Sequence, residues 1–382
     1  LENIINYNFN NDDTNFNISA NIFENLREDK NSDKYEFILP KIEYSKKTFN
    51  DKLGLLTFNS NFFYSKYETN KQKTFLTNDI LWNPANHISK GGFVNSIEGI
   101  IRNMNYETKR TEDYKNNDTV NELNAALSHK TSFPLKKDSV NYTKLFSPNF
   151  MLRYAPGHMR NLSTKDVALN YTNLYSLNKT SAIDVGLSSV IGFDYKLNKK
   201  ISNNLEQEKL SVSLGQILNY KKNNDMPSKS SLDQRMSDVV GEINYNFSEI
   251  GNIDYKFSVD HNLNELNYNE ISTKLNFGKV EFNLDYLEQQ NHIGTEHYAS
   301  SGVTLNLNNN STLGFSTKKN FKTDSTELYD LSYQYAVDCL TAGLVYRREF
   351  YQDIDDIEPK NTLMFTLTFV PFGGVSAPIS EK

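Results

Sequence analysis

The sequence predicts an all-β protein built around a large antiparallel sheet, and three observations support this. Apolar residues alternate with polar ones at a period of two over much of the chain, and the spacing typical of amphipathic helices is scarce. The chain carries 23 Tyr and 24 Phe, although its mean hydropathy is only -0.63. Short and long polar connectors also follow one another in turn along the C-terminal half.

The composition argues against two classes of protein. Of the 382 residues, 37% are hydrophobic, and the formal net charge is -6. This balance, without a basic patch, argues against a nucleic-acid partner, because phosphate binding needs clustered cations. The longest apolar candidate, Thr362 to Val375, contains Pro371 and two glycines. It is shorter than the about 20 residues of a membrane-spanning helix, so we exclude a helical membrane protein.

Strands with one apolar and one polar face are predicted along the C-terminal half. In the strand predicted to be the last, Leu363, Phe365, Leu367 and Phe369 alternate with Met364, Thr366 and Thr368. The apolar positions of the four preceding strands are Leu340, Ala342, Leu344 and Tyr346; Tyr329, Leu331, Tyr333 and Tyr335; Leu313 and Phe315; and Val303, Leu305 and Leu307. Ser211 to Val370 accommodates about ten strands and the first half about ten more, so we expect roughly 18–22 strands.

The connectors indicate where this sheet lies. Tight links are expected at Ser248 to Gly251, around Gly278, at Asn308 to Asn310 and at Asp338 to Cys339. Longer polar links are expected at Tyr220 to Asp238, His261 to Leu266, Glu288 to Ser300, Lys319 to Ser325 and Tyr351 to Asn361. Short turns on one rim and long loops on the other are typical of outer-membrane barrels. Lipid offers no hydrogen-bond partners, so a spanning sheet must close on itself and turn its apolar side chains outward.

The predicted fold class is therefore a large antiparallel transmembrane outer-membrane β-barrel, with residues 1–382 as one barrel domain and a wide polar lumen. Thr164 to Lys179 and Asn78 to Gly91 are poorly periodic and are expected to be loops that fold inward. Pro40 lacks a ladder donor and indicates a sheet edge or a bulge. The chain starts at Leu1 without a signal segment, so we expect a mature or truncated product.

Motifs for catalysis, cofactors or metals are not recognised in the sequence. The histidines His87, His129, His158, His261, His292 and His297 do not show metal-ligand spacing. Nucleophile elbows, phosphate loops and dinucleotide fingerprints are also missing. We therefore predict no enzyme activity, cofactor or metal. A Ser/His pair of the outer-membrane lipase type stays open, because geometry rather than spacing defines such a pair.

Two charged groups near the C-terminus have alternative readings. The acidic residues Asp353, Asp355, Asp356 and Glu358 lie in a predicted outer loop. They either bind a hard divalent cation, of the kind that bridges lipid phosphates, or keep the loop in water, and the second reading is favoured. Arg347 and Glu349 fall on the predicted lumen face, where they are expected to be able to pair.

Cys339 is the only cysteine of the chain. An exposed thiol in an oxidising compartment tends to form a disulfide, and the partner then has to lie outside this chain. The alternative is an unpaired, inert cysteine.

Several segments in order resemble one known family. These are Leu331 to Leu340, Val345 to Asp353, Glu358-Pro359, Thr362 to Phe369, Leu145 to Arg160, Ser213 to Gln216, Pro227 to Ser237 and Asp238 to Gly241. Together they resemble LptD, the lipopolysaccharide-assembly family also called organic solvent tolerance protein, in the style of its alphaproteobacterial members. The resemblance extends from about Tyr35 to Phe372.

The resemblance implies a barrel in the cell outer membrane that assembles lipopolysaccharide into the outer leaflet. Lipopolysaccharide would arrive from periplasmic bridge proteins and leave sideways into outer-membrane lipid through a seam between the first and last strands. Leu363, Phe365, Leu367 and Phe369 would form one wall of this lateral gate. The family also has an N-terminal periplasmic jelly-roll domain, which we expect to be absent here, and often a plug lipoprotein.

The resemblance further implies a role for Cys339, which matches a family cysteine that bonds to the N-terminal domain. Many members have two adjacent cysteines there, whereas Asp338 precedes Cys339 in this chain. The composition is equally compatible with a rival function, that of a passive diffusion porin or another large uptake barrel. An enzyme barrel ranks third.

Overall fold

The computed structural model describes residues 1–25, 35–67, 70–111, 114–202, 205–247, 249–350, 361–369 and 373–381. Its strands form one 22-stranded sheet, and each strand pairing described below is antiparallel. The predicted all-β class is confirmed, and the strand number lies at the upper end of the expected range.

The first twelve strands are β1 (Glu2–Asn10), β2 (Thr14–Glu24), β3 (Tyr35–Asn50), β4 (Gly54–Tyr67), β5 (Lys71–Asn83), β6 (His87–Ile88), β7 (Val94–Lys109), β8 (Thr119–Ser132), β9 (Leu135–Asp138), β10 (Tyr142–Ala155), β11 (Gly186–Ser202) and β12 (Leu205–Asn219). The others are β13 (Val239–Asn246), β14 (Gly251–Val259), β15 (Leu266–Phe277), β16 (Val280–Gln289), β17 (His297–Asn308), β18 (Ser311–Asn320), β19 (Ser325–Val337), β20 (Leu340–Glu349), β21 (Asn361–Phe369) and β22 (Gly373–Glu381). The described helical turns are α1 (Tyr171–Leu174) and a 3-10 turn (Ser228–Ser230).

The predicted alternation of connector lengths is confirmed. Two-residue turns join β15 to β16, β17 to β18 and β19 to β20, the last being Asp338–Cys339. The longer connectors 260–265, 290–296 and 321–324 precede β15, β17 and β19, so they alternate with these turns. Tyr220 to Asp238 forms the connector between β12 and β13, with the predicted bounds. The long loop predicted at Tyr351 to Asn361 falls almost entirely outside the described residues.

The chain divides into two compact units. Unit 1 comprises Leu1–Pro134, Ser147–Gly192 and Gln216–Ser237. Within it, β1 to β5, β7, β8 and the end of β10 pair in that order. Phe75 stacks on Phe63 and Tyr106, and Tyr114 meets Phe75 edge-on, so aromatic packing forms one small core of this unit.

Another core of unit 1 lies between the sheet and the connector of residues 156–185, which follows β10. Ile183 and Leu177 pack with Ile100, Ala126 and Ala155 from the sheet. This segment includes Thr164 to Lys179, so the prediction that these residues form a loop outside the strands is confirmed, and its inward direction stays a prediction. Its one-turn helix α1 is held by a capping box between the side chains and backbone N–H groups of Asn170 and Asn173.

The prediction that Asn78 to Gly91 is also a loop that folds inward is wrong for the first part of this segment. Asn78 to Asn83 belongs to β5 and pairs with β4. The segment was misread because both sheet faces carry polar residues there, which hides the period of two. The bulge reading of Pro40 is confirmed, since β3 changes register between Ile38 and Lys41 against β4.

Unit 2 comprises Leu135–Phe146, Phe193–Gly215 and Asp238–Lys382. From β13 to β22 each strand pairs with the next. Many of its large apolar side chains are exposed, and several lie directly opposite one another, as in the cross-strand pairs Phe315 with Leu331 and Tyr333 with Leu344. A continuous exposed apolar band is what a membrane-facing side requires.

Candidate functional site

The predicted gate residues lie near the C-terminal edge of unit 2. Leu363, Phe365, Leu367 and Phe369 hold alternate positions on β21, and Phe365 is 41% exposed. β21 pairs with β20 on one side and with β22 on the other. The expectation that Leu363 to Phe369 is the last strand is therefore wrong. Prolines and glycines break the alternating pattern of β22 and hid it from sequence reasoning.

Pairing between β21 and β22 is irregular. Gly373 and Gly374 open β22, and the register shifts between Leu363 and Met364. Met364 stands opposite Pro378, which has no N–H to donate. The pair therefore contains a missing donor, a bulge and two residues without side chains, each of which weakens a sheet edge.

The polar face of these strands carries a cross-strand ion pair. Arg347 donates two hydrogen bonds to Asp330 Oδ2, at 3.0 Å from Nε and 2.8 Å from Nη2. The two residues are directly opposite on β20 and β19. The structure thus gives Arg347 a cross-strand partner, and the expected pairing with Glu349 is not what is found. Sequence reasoning missed Asp330 because the strand register was unknown.

Cys339 lies in the turn between β19 and β20 and is exposed. An exposed position suits a disulfide to another polypeptide segment, and that disulfide stays a prediction. The predicted cation-binding residues Asp353, Asp355, Asp356 and Glu358 lie outside the described residues. Within the described ranges, His, Cys, Asp and Glu do not gather in a group of three or more suited to a metal ion.

A buried polar network in unit 2 was not foreseen from the sequence. The Asp238 carboxylate is 3% exposed and accepts hydrogen bonds from Ser258 Oγ at 2.9 Å and Asn267 Nδ2 at 2.8 Å. His292 Nε2 lies 3.2 Å from the same oxygen. A hydrolytic triad places the imidazole between serine and carboxylate. Here the carboxylate lies between the serine, the asparagine and the imidazole. This arrangement fastens the 290–296 connector to the sheet.

A half-open cavity in unit 1 brings together residues that the sequence did not group. Its volume is about 280 Å³, and it lies between the connector of residues 156–185 and the ends of β10, β11 and β12. Arg153, Lys179, Lys221 and Lys222 supply positive charge to its lining. Arg153 falls within Leu145 to Arg160, but the charged residue stood alone there and gave no spacing signal.

The comparisons with known proteins assign the family. A profile of LptD, described as LPS transport system D, matches residues 1–321. The chain belongs to the LptD family. It is accordingly an outer-membrane β-barrel protein of lipopolysaccharide transport. The resembling segment Leu145 to Arg160 lies inside the matched region, whereas the segments from Leu331 to Phe369 lie beyond it.

Solved structures similar to this LptD family member share little sequence with it. The siderophore receptor PirA of Acinetobacter baumannii has 8% identity and a TM-score of 0.45, over 99% of this chain and 73% of the receptor. A mutant ferric enterobactin receptor (PfeA) of Pseudomonas aeruginosa has 8% identity and a TM-score of 0.41, over 99% and 71%. A Rhodopseudomonas blastica porin triple mutant has 11% identity and a TM-score of 0.27, over 71% and 93%.

The family assignment rests on the profile and not on these structures. A comparison with curated proteins gives no match. The helical turns that the structure describes are too short or too polar to cross a bilayer.

Proposed function

We propose that this LptD family member releases lipopolysaccharide sideways into the outer leaflet through a seam that involves β22. The observation that carries the proposal is the irregular pairing of β22 with β21, where the register shifts and Pro378 lacks a donor. The seam that the resemblance implies between the first and last strands is thus placed in this proposal between β21 and β22, with Leu363 to Phe369 on β21 as one wall and β22 as the other.

The energetic argument concerns backbone hydrogen bonds. Parting two strands in hydrocarbon leaves N–H and C=O groups without partners, at a cost of several kcal/mol for each group. A seam that opens repeatedly must therefore contain few bonds or imperfect ones. A regular ladder such as β19–β20, which pairs without a register shift from Leu328 to Val337, is a poor candidate.

The two faces of β21 suit the two parts of the cargo. Phe365 and Phe369 are exposed on the apolar face, where acyl chains would contact them once β22 moves aside. Thr366 and the Arg347–Asp330 pair lie on the opposite, polar face, which suits sugar and phosphate. In this proposal periplasmic bridge proteins deliver the lipid, a plug lipoprotein occupies the lumen, and a pump elsewhere in the envelope supplies the energy.

The proposal requires no catalysis by this chain. The Asp238 network supports a structural role, because Ser258 donates to the carboxylate and not to an imidazole. In a hydrolytic triad an imidazole activates the serine, whereas the acceptor of Ser258 is a carboxylate.

A disulfide lock across the seam tests the proposal. Thr366→Cys and Ser376→Cys are opposite one another on β21 and β22, and Cys339→Ser removes the native thiol. The lock should reduce lipopolysaccharide at the cell surface to the level of a depleted strain, and reductant should restore it. The measurement is surface labelling of lipopolysaccharide in cells that depend on the variant.

The matched control is Ser332→Cys with Val345→Cys, which join β19 to β20 at directly opposed positions. This lock should leave surface lipopolysaccharide unchanged. Normal assembly by the locked β21–β22 variant would refute release at this seam. If solute conductance is high and depletion leaves surface lipopolysaccharide intact, the chain acts as a diffusion porin instead.

A further inference from the structure

The cavity of unit 1 has an unusual electrostatic lining for a chain of net charge -6. Four cationic residues, Arg153, Lys179, Lys221 and Lys222, line it together with two carboxylates, Asp184 and Asp225. His158 also borders it and is exposed. The lining therefore carries an excess of positive charge before any histidine is protonated.

Arg153 is buried with part of its hydrogen-bonding capacity unused. Its side chain is 3% exposed, and its Nε donates to the Leu177 carbonyl at 2.5 Å. Its Nη2 has no hydrogen-bond partner among the described residues. Leaving a buried charged donor unsatisfied is costly, so such a group calls for an acceptor that the protein itself does not supply, such as a ligand, an ion or water.

Arg102 in the same unit shows what a satisfied guanidinium looks like. Its Nε and Nη2 donate to the two oxygens of Asp79 at 2.7 and 2.8 Å, and its Nη1 donates to the Ser181 carbonyl at 2.9 Å. Asp79 thus gives Arg102 a bidentate carboxylate partner. Within the part of the chain that the structure describes, no such carboxylate lies at Arg153, so this arginine is not part of an ordinary ion pair.

Asp184 does not fill that role. Its carboxylate is 5% exposed and accepts hydrogen bonds from the backbone N–H of Lys179 at 2.9 Å and from Thr180 Oγ1 at 2.5 Å. These bonds fold the connector around the carboxylate. The hydrogen bonds hold Asp184 as a structural anchor and leave the terminal nitrogen of Arg153 available.

Lys179 adds a second cation of restricted solvation. Its Nζ donates to the Ser176 carbonyl at 3.0 Å, which leaves two of its three N–H donors for other acceptors. Burial lowers the pKa of Lys179 to about 8, and the nearby Arg153 charge acts in the same direction. A bound anion would act against this lowering, because opposite charge favours the protonated amine.

We propose that this cavity binds a phosphoryl group. A phosphoryl group carries close to two negative charges and three strong acceptor oxygens, which matches a fork-shaped guanidinium beside an ammonium. The volume of about 280 Å³ and the apolar walls at Met159, Ile217 and Leu232 leave room for a sugar attached to the phosphate. Lys221 and Lys222 are exposed at the cavity and would attract the anion.

The phosphoryl group has two sources, namely free inorganic phosphate and the phosphorylated sugar of a lipid headgroup. The inference adds a binding site to the proposed function without depending on the seam, since the cavity belongs to unit 1 and β22 belongs to unit 2. Failure of the seam lock and failure of phosphate binding are therefore separate results.

The test is isothermal titration calorimetry on the purified protein in a phosphate-free detergent buffer. The probes are inorganic phosphate, glucosamine 1-phosphate, unphosphorylated glucosamine, and lipopolysaccharide before and after enzymatic dephosphorylation. We expect both phosphorylated small probes to bind and glucosamine not to bind. Tighter binding of the sugar phosphate, with weaker binding of dephosphorylated lipopolysaccharide, assigns the lipid headgroup. Equal affinity for both small probes assigns free phosphate.

Two variants locate the site. Arg153→Gln should weaken phosphate binding at least about tenfold, since it removes a charge-assisted hydrogen bond. Lys221→Gln with Lys222→Gln changes only exposed side chains, so it keeps the test valid if Arg153→Gln fails to fold, and it should weaken binding about threefold. Lys90→Gln, an exposed lysine outside the cavity lining, is the matched control and should bind like the parent. Absence of phosphate binding, equal binding of glucosamine, or unchanged affinity in both cavity variants would overturn the proposal.

Discussion

Packing of the 156–185 connector against the sheet can be tested at Ile183, which is 1% exposed. Ile183→Ala removes three carbon groups, worth about 0.8 kcal/mol each in transfer free energy. The cavity left behind adds to this, so the cost is about 3 kcal/mol, within the range of about 2–5 kcal/mol for such substitutions. Only the connector side of the core is loosened, so the cost should appear as easier local opening.

Hydrogen exchange followed by mass spectrometry measures that opening. A loss of about 3 kcal/mol corresponds to about hundredfold faster exchange of the protected connector amides. Ile88→Ala is the matched control, because Ile88 is 67% exposed in the short strand β6 of the same unit and should change exchange little. If the two variants exchange alike over residues 169–185, the connector is not packed on the sheet as described.

Two more predictions concern single groups. Asp238→Ala should lower the free energy of unfolding by about 3 kcal/mol, because it leaves the buried donors of Ser258 and Asn267 without an acceptor. Glu281→Ala, which changes an exposed side chain, should have little effect. Guanidinium denaturation followed by circular dichroism measures both variants. A lysine ¹³Cε resonance should titrate near pH 8 and disappear in Lys179→Arg. Since the pKa of Lys179 is lowered when the connector is closed, the opened state binds the proton more tightly between about pH 8 and its ordinary value of 10.5. Closure of the connector should therefore become more favourable as pH rises through that window and be least favourable below it. Amide exchange rates of the connector, corrected for the intrinsic effect of pH on exchange, measure this. If closure becomes less favourable as pH rises, the result contradicts the burial of Lys179.

Strand prediction succeeded where one face is apolar and the other polar. From β17 to β21 the period of two located each strand, because the membrane-facing side demands Leu, Phe and Tyr at every second position. It failed at β22, where Pro378 and two glycines break the alternation. It also failed at Asn78 to Asn83, where the tertiary partner β4 and not the local pattern decides the conformation.

The candidate sites were harder to predict because they depend on register and on long connectors. Asp238, Ser258, Asn267 and His292 belong to four different elements, and no spacing in the sequence relates them. Arg347 pairs with Asp330 because the register of β19 with β20 places them opposite one another. The gate role of β21 and the disulfide of Cys339 stay predictions that follow from the family resemblance. The single barrel domain stays a prediction from the strand and connector pattern.

The charge of Arg153 also helps to fix the register of β10, the strand that carries it. On β10, Met151, Arg153 and Ala155 share the buried face, whereas Leu152 and Tyr154 are 45% and 55% exposed on the other. A slip of one residue against β8 would exchange these faces and place the guanidinium among lipid chains. An arginine on the lipid face costs about 2–4 kcal/mol near the bilayer midplane. The cation that we propose to bind a phosphoryl group therefore disfavours the wrong register, so the site and the sheet that holds it are selected by the same residue.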